Sequence, residues 1–425
     1  MLGEIFYIQR PYFGWRTFKS FFSPEYLFFG FVTAVFLSLF IYLDYFGIKN
    51  ELFVKSVTTV SAILGFYLLL VSSRATLFWS GFFIAFFWFY WIGFSFRYYG
   101  VSEFIPLMVL FVSLGYGLFF WVVSLFTHPL TRAFLFSFFS YFHPMSFNWF
   151  IPELTLVHSY LGIAKWQFGL FLLSLALFAS FKRWHKVVAI IPLVLSIEYP
   201  PTQKLPLPDI KIMLADSKLD QSVKWDPSYK DRSIENNIAV ILEAISEKYD
   251  MVVLNESAFA LFLNTDIELM QKLQELSKEI VIVTGGLYSD GKNSYNSTYY
   301  FDDKKIYIAN KVVLVPFGEE IPLPKFIAKW INDTFYDGAE DYKTAKKPTD
   351  IKLSVGTFRN AICYEATRDE LFVGNPKYMI AISNNAWFTP SIEPVLQKIL
   401  MEYFSRKYKT VIFHSANMGI STVIH

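Results

Sequence analysis

Over residues 1–200 long apolar stretches alternate with short polar breaks, whereas from about residue 205 onward apolar runs shorten to strand and helix lengths divided by turn residues. The first pattern predicts membrane helices. Residues 26–45, 56–72, 76–96 and 105–126 are each apolar over a length that can cross a hydrocarbon core. A fifth stretch, 133–150, is interrupted by His143 and Pro144, and a sixth, 166–181, is clean. A seventh, 187–197, is short and contains Pro192, and it spans if Trp184 and Tyr199 anchor it in the two interfaces. The expectation is a domain of about seven membrane helices over residues 1–200, opening with an aromatic and basic segment, residues 1–23, that lacks the small-residue cleavage site of a signal peptide.

Loop charge gives this domain an orientation. With the N-terminus inside, Arg10, Arg16, Lys19, Arg74, Arg132, Lys182, Arg183 and Lys186 fall on the inner side, against Lys49, Lys55, Arg97 and Lys165 outside. Seven crossings then carry everything after Tyr199 to the outer face, the periplasm in a bacterium; the outcome inverts if the fifth or seventh stretch does not cross. His143, Glu153 and His158 read as loop or interface residues, and the bundle shows no regular intramembrane charges of the kind that line an ion path.

The second pattern, residues 201–425, opens with a proline-punctuated linker at 197–210. Strands are predicted at 210–215, 251–254, 280–284, 357–362, 378–383 and 410–414, and helices at 232–248, 266–278 and 392–408. A hairpin is predicted at 297–309 around Asp302 and Asp303, and the start of a helix at 366–371. This alternation is that of an α/β layered domain.

Composition separates the two halves further. Hydrophobic residues make up 54% of the chain and charged residues 17%, a membrane-protein bias concentrated in the first 200 residues. A formal net charge of +2 with no long basic run argues against nucleic acid as a partner. A single cysteine excludes an internal disulfide and any multi-cysteine metal site, and it permits either redox compartment.

That cysteine, Cys363, ends a predicted strand where a helix is expected to begin, so helix-start N–H groups point toward it. It reads either as a nucleophile or as a buried structural thiol. Glu256 and Lys311 each follow a predicted strand by two residues, the place where functional side chains collect in open α/β sheets, though either alone is commonly a solvated loop residue. Together the three make an acyl-transfer apparatus. A thiol with its usual pKa near ~8.5 needs a base, which Glu256 can be, and a cation such as Lys311, which can also hold an oxyanion. No metal or cofactor is called for.

Glu256 in LNESAF, Lys311 in NKVVLVPFGEEIPLP and Cys363 in AICYE resemble the Glu, Lys and Cys triad of the nitrilase superfamily. Behind a polytopic membrane half, the domain resembles bacterial apolipoprotein N-acyltransferases. QSVKW with Lys224 and Trp225, VPFGEEIPL with Glu319, SNNAWF with Asn384, Asn385 and Trp387, and SANMGISTVI follow in family order between about residues 206 and 424. The resemblance implies an αββα nitrilase-like sandwich on the periplasmic face of the bacterial inner membrane. It implies transfer of an acyl chain from a phospholipid to the α-amino group of the diacylglyceryl-cysteine of an apolipoprotein, by a monomer without a cofactor. Carried over by position, Cys363 would form a thioester, Glu256 would be the base and Lys311 would stabilise the oxyanion. Trp225, Glu319, Tyr364, Glu365 and Trp387 match positions that shape the site and substrate entrance, Trp387 equally readable as a buried aromatic. The family usually closes with a membrane helix after the catalytic domain, and residues 205–425 contain no such span, which suggests a shortened subfamily.

Residues 326–336, with Ile327, Trp330, Ile331 and Phe335 at helical spacing, read as a packed helix or as a lid dipping into the interface, and 337–350 as a surface loop. Three other functions compete: a membrane-anchored amidase or nitrilase giving its thioester to water, a thiol protease using Cys363 with His414 and Asn417, and a transporter with a binding domain. The last predicts paired charges inside the bundle.

Overall fold

Residues 21–143, 147–199, 205–316, 319 and 342–425 are described by the structure, a computed structural model. The chain separates into two compact units. One comprises Met1–Phe96, Val101–His143 and Asn148–Gln203, and the other Arg97–Gly100, Pro144–Phe147 and Lys204–His425.

The first unit is helical: α1 (Pro24–Tyr45), α2 (Glu51–Val71), α3 (Arg74–Phe89), α4 (Ile105–Val123), α5 (Pro129–Ser137), α6 (Lys165–Ser180) and α7 (Ile190–Ser196). Among the described residues, α1, α2 and the stretch Ser102–Val123 that contains α4 are long and apolar enough to cross a membrane, and α3 and α6 are shorter apolar helices. Large apolar side chains such as Phe28, Leu52, Phe111 and Trp166 point outward on these helices, as a lipid-facing surface requires. Contacts between helices depend on small residues. A Cβ on Gly30 would lie 2.5 Å from Cβ of Trp79, so α1 and α3 approach as closely as they do only with glycine there.

Two of the seven predicted spans take another form. The fifth is not one helix: α5 stops after 9 residues, roughly 14 Å of rise, and the chain goes on through 3-10 turns at Phe139–Tyr141 and Pro152–Leu156. Pro144 and Pro152 supply no N–H to a helix running through this stretch. The seventh is a 3-10 run, Arg183–Ala189, leading into the 7-residue α7, together roughly 25 Å long. Two charged residues assigned to loops are buried instead. Arg132 caps α2, donating from Nη1 to the carbonyls of Leu70 and Ser72. Glu153 is fully enclosed and pairs at 2.6 Å with Lys165, whose side chain is partly exposed.

The second unit has two six-stranded sheets, built from β1 (Ile212–Leu214), β2 (Asp216–Ser217), β3 (Met251–Val253), β4 (Phe259–Phe262), β5 (Val281–Ser289), β6 (Ser294–Asp302), β7 (Lys305–Asn310), β8 (Asp350–Leu353), β9 (Gly356–Ile362), β10 (Tyr378–Asn384), β11 (Val411–Asn417) and β12 (Thr422–Ile424). One sheet has the order β1-β3-β5-β6-β7 with β4 beside β5, and the other β12-β11-β10-β9-β8 with β2 beside β11. Strand alternation sorts the core. Met251 and Val253 of β3 face inward with Val281, Val283, Phe358, Ile362, Ile380 and Phe413 to fill the space between the sheets. Val252 and Ile282 face the other way, onto Ile238 and Ile241 of α9 (Lys230–Ser246) and Leu269 and Leu273 of α10 (Ile267–Leu276). A short helix α8 (Gln221–Lys224) precedes them, and α11 (Glu393–Tyr408) packs against the second sheet and the turn after β9. This is the αββα layering that the resemblance implied.

The expected hairpin is present, joining β6 to β7 through Asp303 and Lys304. Both have positive φ, as a two-residue turn that follows the strand twist requires. Where a helix was expected after Cys363 the chain makes two 3-10 turns, Cys363–Thr367 and Asp369–Phe372. Residues 326–336 lie outside the described residues.

Candidate active site

The strand order explains why residues far apart in sequence meet. β3 is parallel to β5, β5 antiparallel to β6 and β6 antiparallel to β7, so β7 runs in the same direction as β3. Glu256 beyond β3 and Lys311 directly after β7 therefore leave the same edge of the sheet. Three strand spacings, about 14 Å, separate their strands, and two features close that gap. The Lys311 side chain is long, and the turn after β3 folds over β5 at Gly285. A Cβ on Gly285 would sit 2.4 Å from N of Ser257 and 2.8 Å from Cα of Glu256. Ser257 itself holds φ +49°. Gly285→Ala is accordingly expected to displace the Glu256 turn, destabilising the fold by about 1–3 kcal/mol and slowing turnover more than it weakens substrate binding. Thermal unfolding and steady-state kinetics check this, and unchanged values of both would contradict the close approach.

Lys311 is 1% exposed, and its Nζ lies 2.6 Å from Oε2 of Glu319 and 3.7 Å from Oε1 of Glu256. Burial opposes its charge, but Glu319, Glu256, Cys363 and Glu365 together outweigh that and hold its pKa above the ordinary lysine value. Asn296 completes the cluster. Its Nδ2 donates to Oε1 of Glu256 at 2.8 Å and to Oε1 of Glu319 at 3.1 Å, while its carbonyl accepts from the Lys311 N–H at 2.9 Å. Nothing in the sequence reading singled out Asn296; the available signal was a lone carboxamide in β6, among hydroxyl and aromatic side chains. Lys224 buttresses the same turn, donating from Nζ to the Glu256 carbonyl at 2.8 Å, and burial brings its pKa down to about 8.

Cys363 follows β9 with φ +56°, a left-handed conformation that an L-residue holds only under constraint from its surroundings. Burial pushes its thiol well above the ordinary range; Glu256 adds to the shift and Lys311 opposes it. The resting site thus sets a protonated thiol near a lysine ammonium, with the Glu256 carboxyl group in the same cluster as a candidate acceptor for the thiol proton as a bond forms at sulfur. Glu365 ties Cys363 to the Lys311 segment. Its Oε1 accepts from the N–H groups of Val312 at 2.5 Å and Val313 at 2.9 Å, and its Oε2 from Ile362 at 2.7 Å. Burial lifts this carboxyl to about 7, against the pull of Lys311 and those three N–H groups. Glu365 is thereby a brace between two loops.

The remaining sequence candidates separate. Glu319 lies in the cluster. Tyr364 is buried, with its ring parallel to Phe147 at 6.5 Å and its hydroxyl accepting from Nη1 of Arg368. Trp387, after β10, stacks on Tyr99 at 5.9 Å and meets Tyr98 edge-on at 5.4 Å. Trp225 ends α8 with 41% of its surface exposed. The protease arrangement is absent. His414 hydrogen-bonds to the Ile420 carbonyl through Nδ1 and to Ser383 Oγ through Nε2, both at 2.8 Å, and burial brings its pKa down to about 4. Asn417 binds Asn384 and Leu219.

Residues 24–199 match the family model described as the apolipoprotein N-acyltransferase integral membrane domain. The chain is 40% identical over 405 residues to an apolipoprotein N-acyltransferase from Wolinella succinogenes, covering 95% of this chain and 97% of that one. It is 38% identical over 353 residues to one from Helicobacter hepaticus, covering 81% and 87%. Among solved structures it is similar to a member of branch 10 of the nitrilase superfamily from Saccharomyces cerevisiae, with a TM-score of 0.37, 18% identity and coverage of 51% of this chain and 79% of that one.

Proposed function

We propose, from the premise that this chain belongs to the apolipoprotein N-acyltransferase family, that it moves an acyl chain from a membrane phospholipid to the α-amino group of a diacylglyceryl-cysteine through a thioester on Cys363. The observation that carries this reading is the buried Lys311 ammonium set between Glu256 and Glu319, with its charge acting on Cys363.

In the first half-reaction Cys363 Sγ attacks the ester carbonyl while Glu256 accepts the thiol proton. Lys311, with backbone N–H groups near Cys363, balances the charge on the carbonyl oxygen. As the intermediate collapses, the C–O bond breaks and the lysophospholipid oxygen takes the proton back from Glu256. In the second half the lipoprotein amine attacks the thioester, Glu256 removes the amine proton, and as the C–S bond breaks Glu256 returns that proton to the departing sulfur, restoring the thiol. Dividing the transfer matters because an ester is a poor acyl donor to an amine, whereas a thioester reacts readily. Trp225, Tyr364 and Trp387 border the path of the acyl chains in this reading. Both substrates are lipids, so the second unit faces the membrane surface. Its place is the periplasmic side of the bacterial inner membrane, and the protein works as a monomer.

The test is to incubate the purified chain in phospholipid micelles and then add a diacylated lipopeptide. Mass spectrometry is expected to show one acyl adduct, on the Cys363 peptide, that disappears as N-acylated lipopeptide accumulates. Release of free fatty acid with no N-acylated product would favour the hydrolase instead. Product made without any adduct on Cys363 would sink the thioester.

A further inference from the structure

We propose that Gln397 is a further catalytic residue, its side-chain amide donating a hydrogen bond to Cys363 Sγ so as to stabilise the thiolate, with Asn385 and Glu393 as positioning residues that decide which end of that amide faces the sulfur. The inference rests on Cys363 being the acyl carrier.

Gln397 and Glu393 lie four residues apart on α11 and so share one helix face. Both are buried, as is Asn385 beyond β10. Asn385 Nδ2 donates to Glu393 Oε2 at 2.8 Å and to Gln397 Oε1 at 2.9 Å. Burial raises the Glu393 carboxyl to about 8 and the Asn385 hydrogen bond opposes that; in its ionised form Glu393 can only accept, as an amide oxygen can, so it orients Asn385 and Asn385 orients Gln397. The end left to face Cys363 is Nε2, which lies 3.7 Å from Sγ.

The charges around the sulfur give this contact its purpose. Lys311 favours the thiolate, while Glu256, Glu319 and Glu393 all oppose it in a buried setting. A neutral N–H aimed at sulfur stabilises the anion without adding a further charge for the carboxylates to bind. It acts when the thiol proton passes to Glu256 and the S–C bond forms, and again when the amine displaces the acyl group and the electron pair of the C–S bond returns to sulfur. Satisfying Asn385 alone would need only the Gln397 oxygen.

Because Cys363 is the single cysteine of the chain, its ionisation can be read from the pH dependence of iodoacetamide alkylation of the intact protein in detergent. Gln397→Met is expected to move the alkylation midpoint up by about one to two pH units. It should also slow acyl transfer at neutral pH by about ten- to a hundredfold, with KM for phospholipid unchanged. Gln397→Glu, close to the same size, puts an anion beside the sulfur and should move the midpoint further in the same direction, so the result survives if the methionine variant folds poorly. Midpoints left unmoved in the variant that keeps the parental thermal transition would overturn the proposal. Alkylation needs no substrate, so the two readings fail separately. A shifted midpoint combined with acyl transfer indifferent to Cys363→Ala would remove the acyl-carrier role, and with it the catalytic meaning of the contact.

Discussion

Cys363→Ala is expected to lower lipopeptide N-acylation by at least about 10⁴-fold while leaving the protein folded. The sulfur is the only atom proposed to bond to the acyl group. With it gone, the amine must attack the phospholipid ester directly, and neither Glu256 nor Lys311 can replace the lost intermediate. Stability should change by about 1 kcal/mol or less, because one small, partly buried side chain is replaced by a slightly smaller one on an unchanged backbone. Alanine is a cleaner test than serine, whose hydroxyl could itself be acylated. The measurement is the rate of N-acylation beside a thermal unfolding curve, and the mechanism fails if the alanine variant retains a hundredth of the parental rate.

Lys311→Met is expected to strike both stability and activity. The methionine fills nearly the same volume but leaves Glu319 without its 2.6 Å partner and Glu256 without its cation, two carboxylates then held together by Asn296 in a buried site. Breaking a buried ion pair from one side destabilises by about 3–5 kcal/mol, because the charge left behind is neither hydrated nor paired. Loss of the cation that balances the oxyanion should slow transfer by about 10²–10³-fold on its own. The double variant Lys311→Met with Glu319→Gln separates the two effects: it should recover much of the unfolding temperature and none of the acyl transfer. Recovery of both would make Lys311 a structural residue only.

The chain joins a unit matching the family's integral membrane domain to a layered α/β unit carrying a cysteine, a lysine and several glutamates.

Local pattern determined a good deal here. Apolar runs located α1, α2, α3, α4 and α6, because a helix that meets lipid must show it an apolar surface. Short apolar runs bounded by turn residues located β3, β9 and β10, and strand ends picked out Glu256, Lys311 and Cys363 as candidates, since a side chain just past a strand is held by the sheet yet open to a site. The pattern failed where distance along the chain carries no information. At 133–150 hydropathy alone looked like a span, whereas helical geometry needs an N–H at positions taken by proline. Glu153 looked like a loop residue until the fold brought Lys165 against it. Asn296 enters the charge cluster only because strand pairing sets it opposite Lys311, and Gln397 reaches the sulfur only because α11 lies over the turn after β9. Gly285 becomes indispensable only once the Glu256 turn crosses β5. Sequence alone thus told which chemical groups were present and which local shapes would hold them. Which of them touch, and therefore which way a lysine is charged and an amide is turned, was decided by strand order and helix packing, because electrostatic and hydrogen-bond energies depend on distances in space.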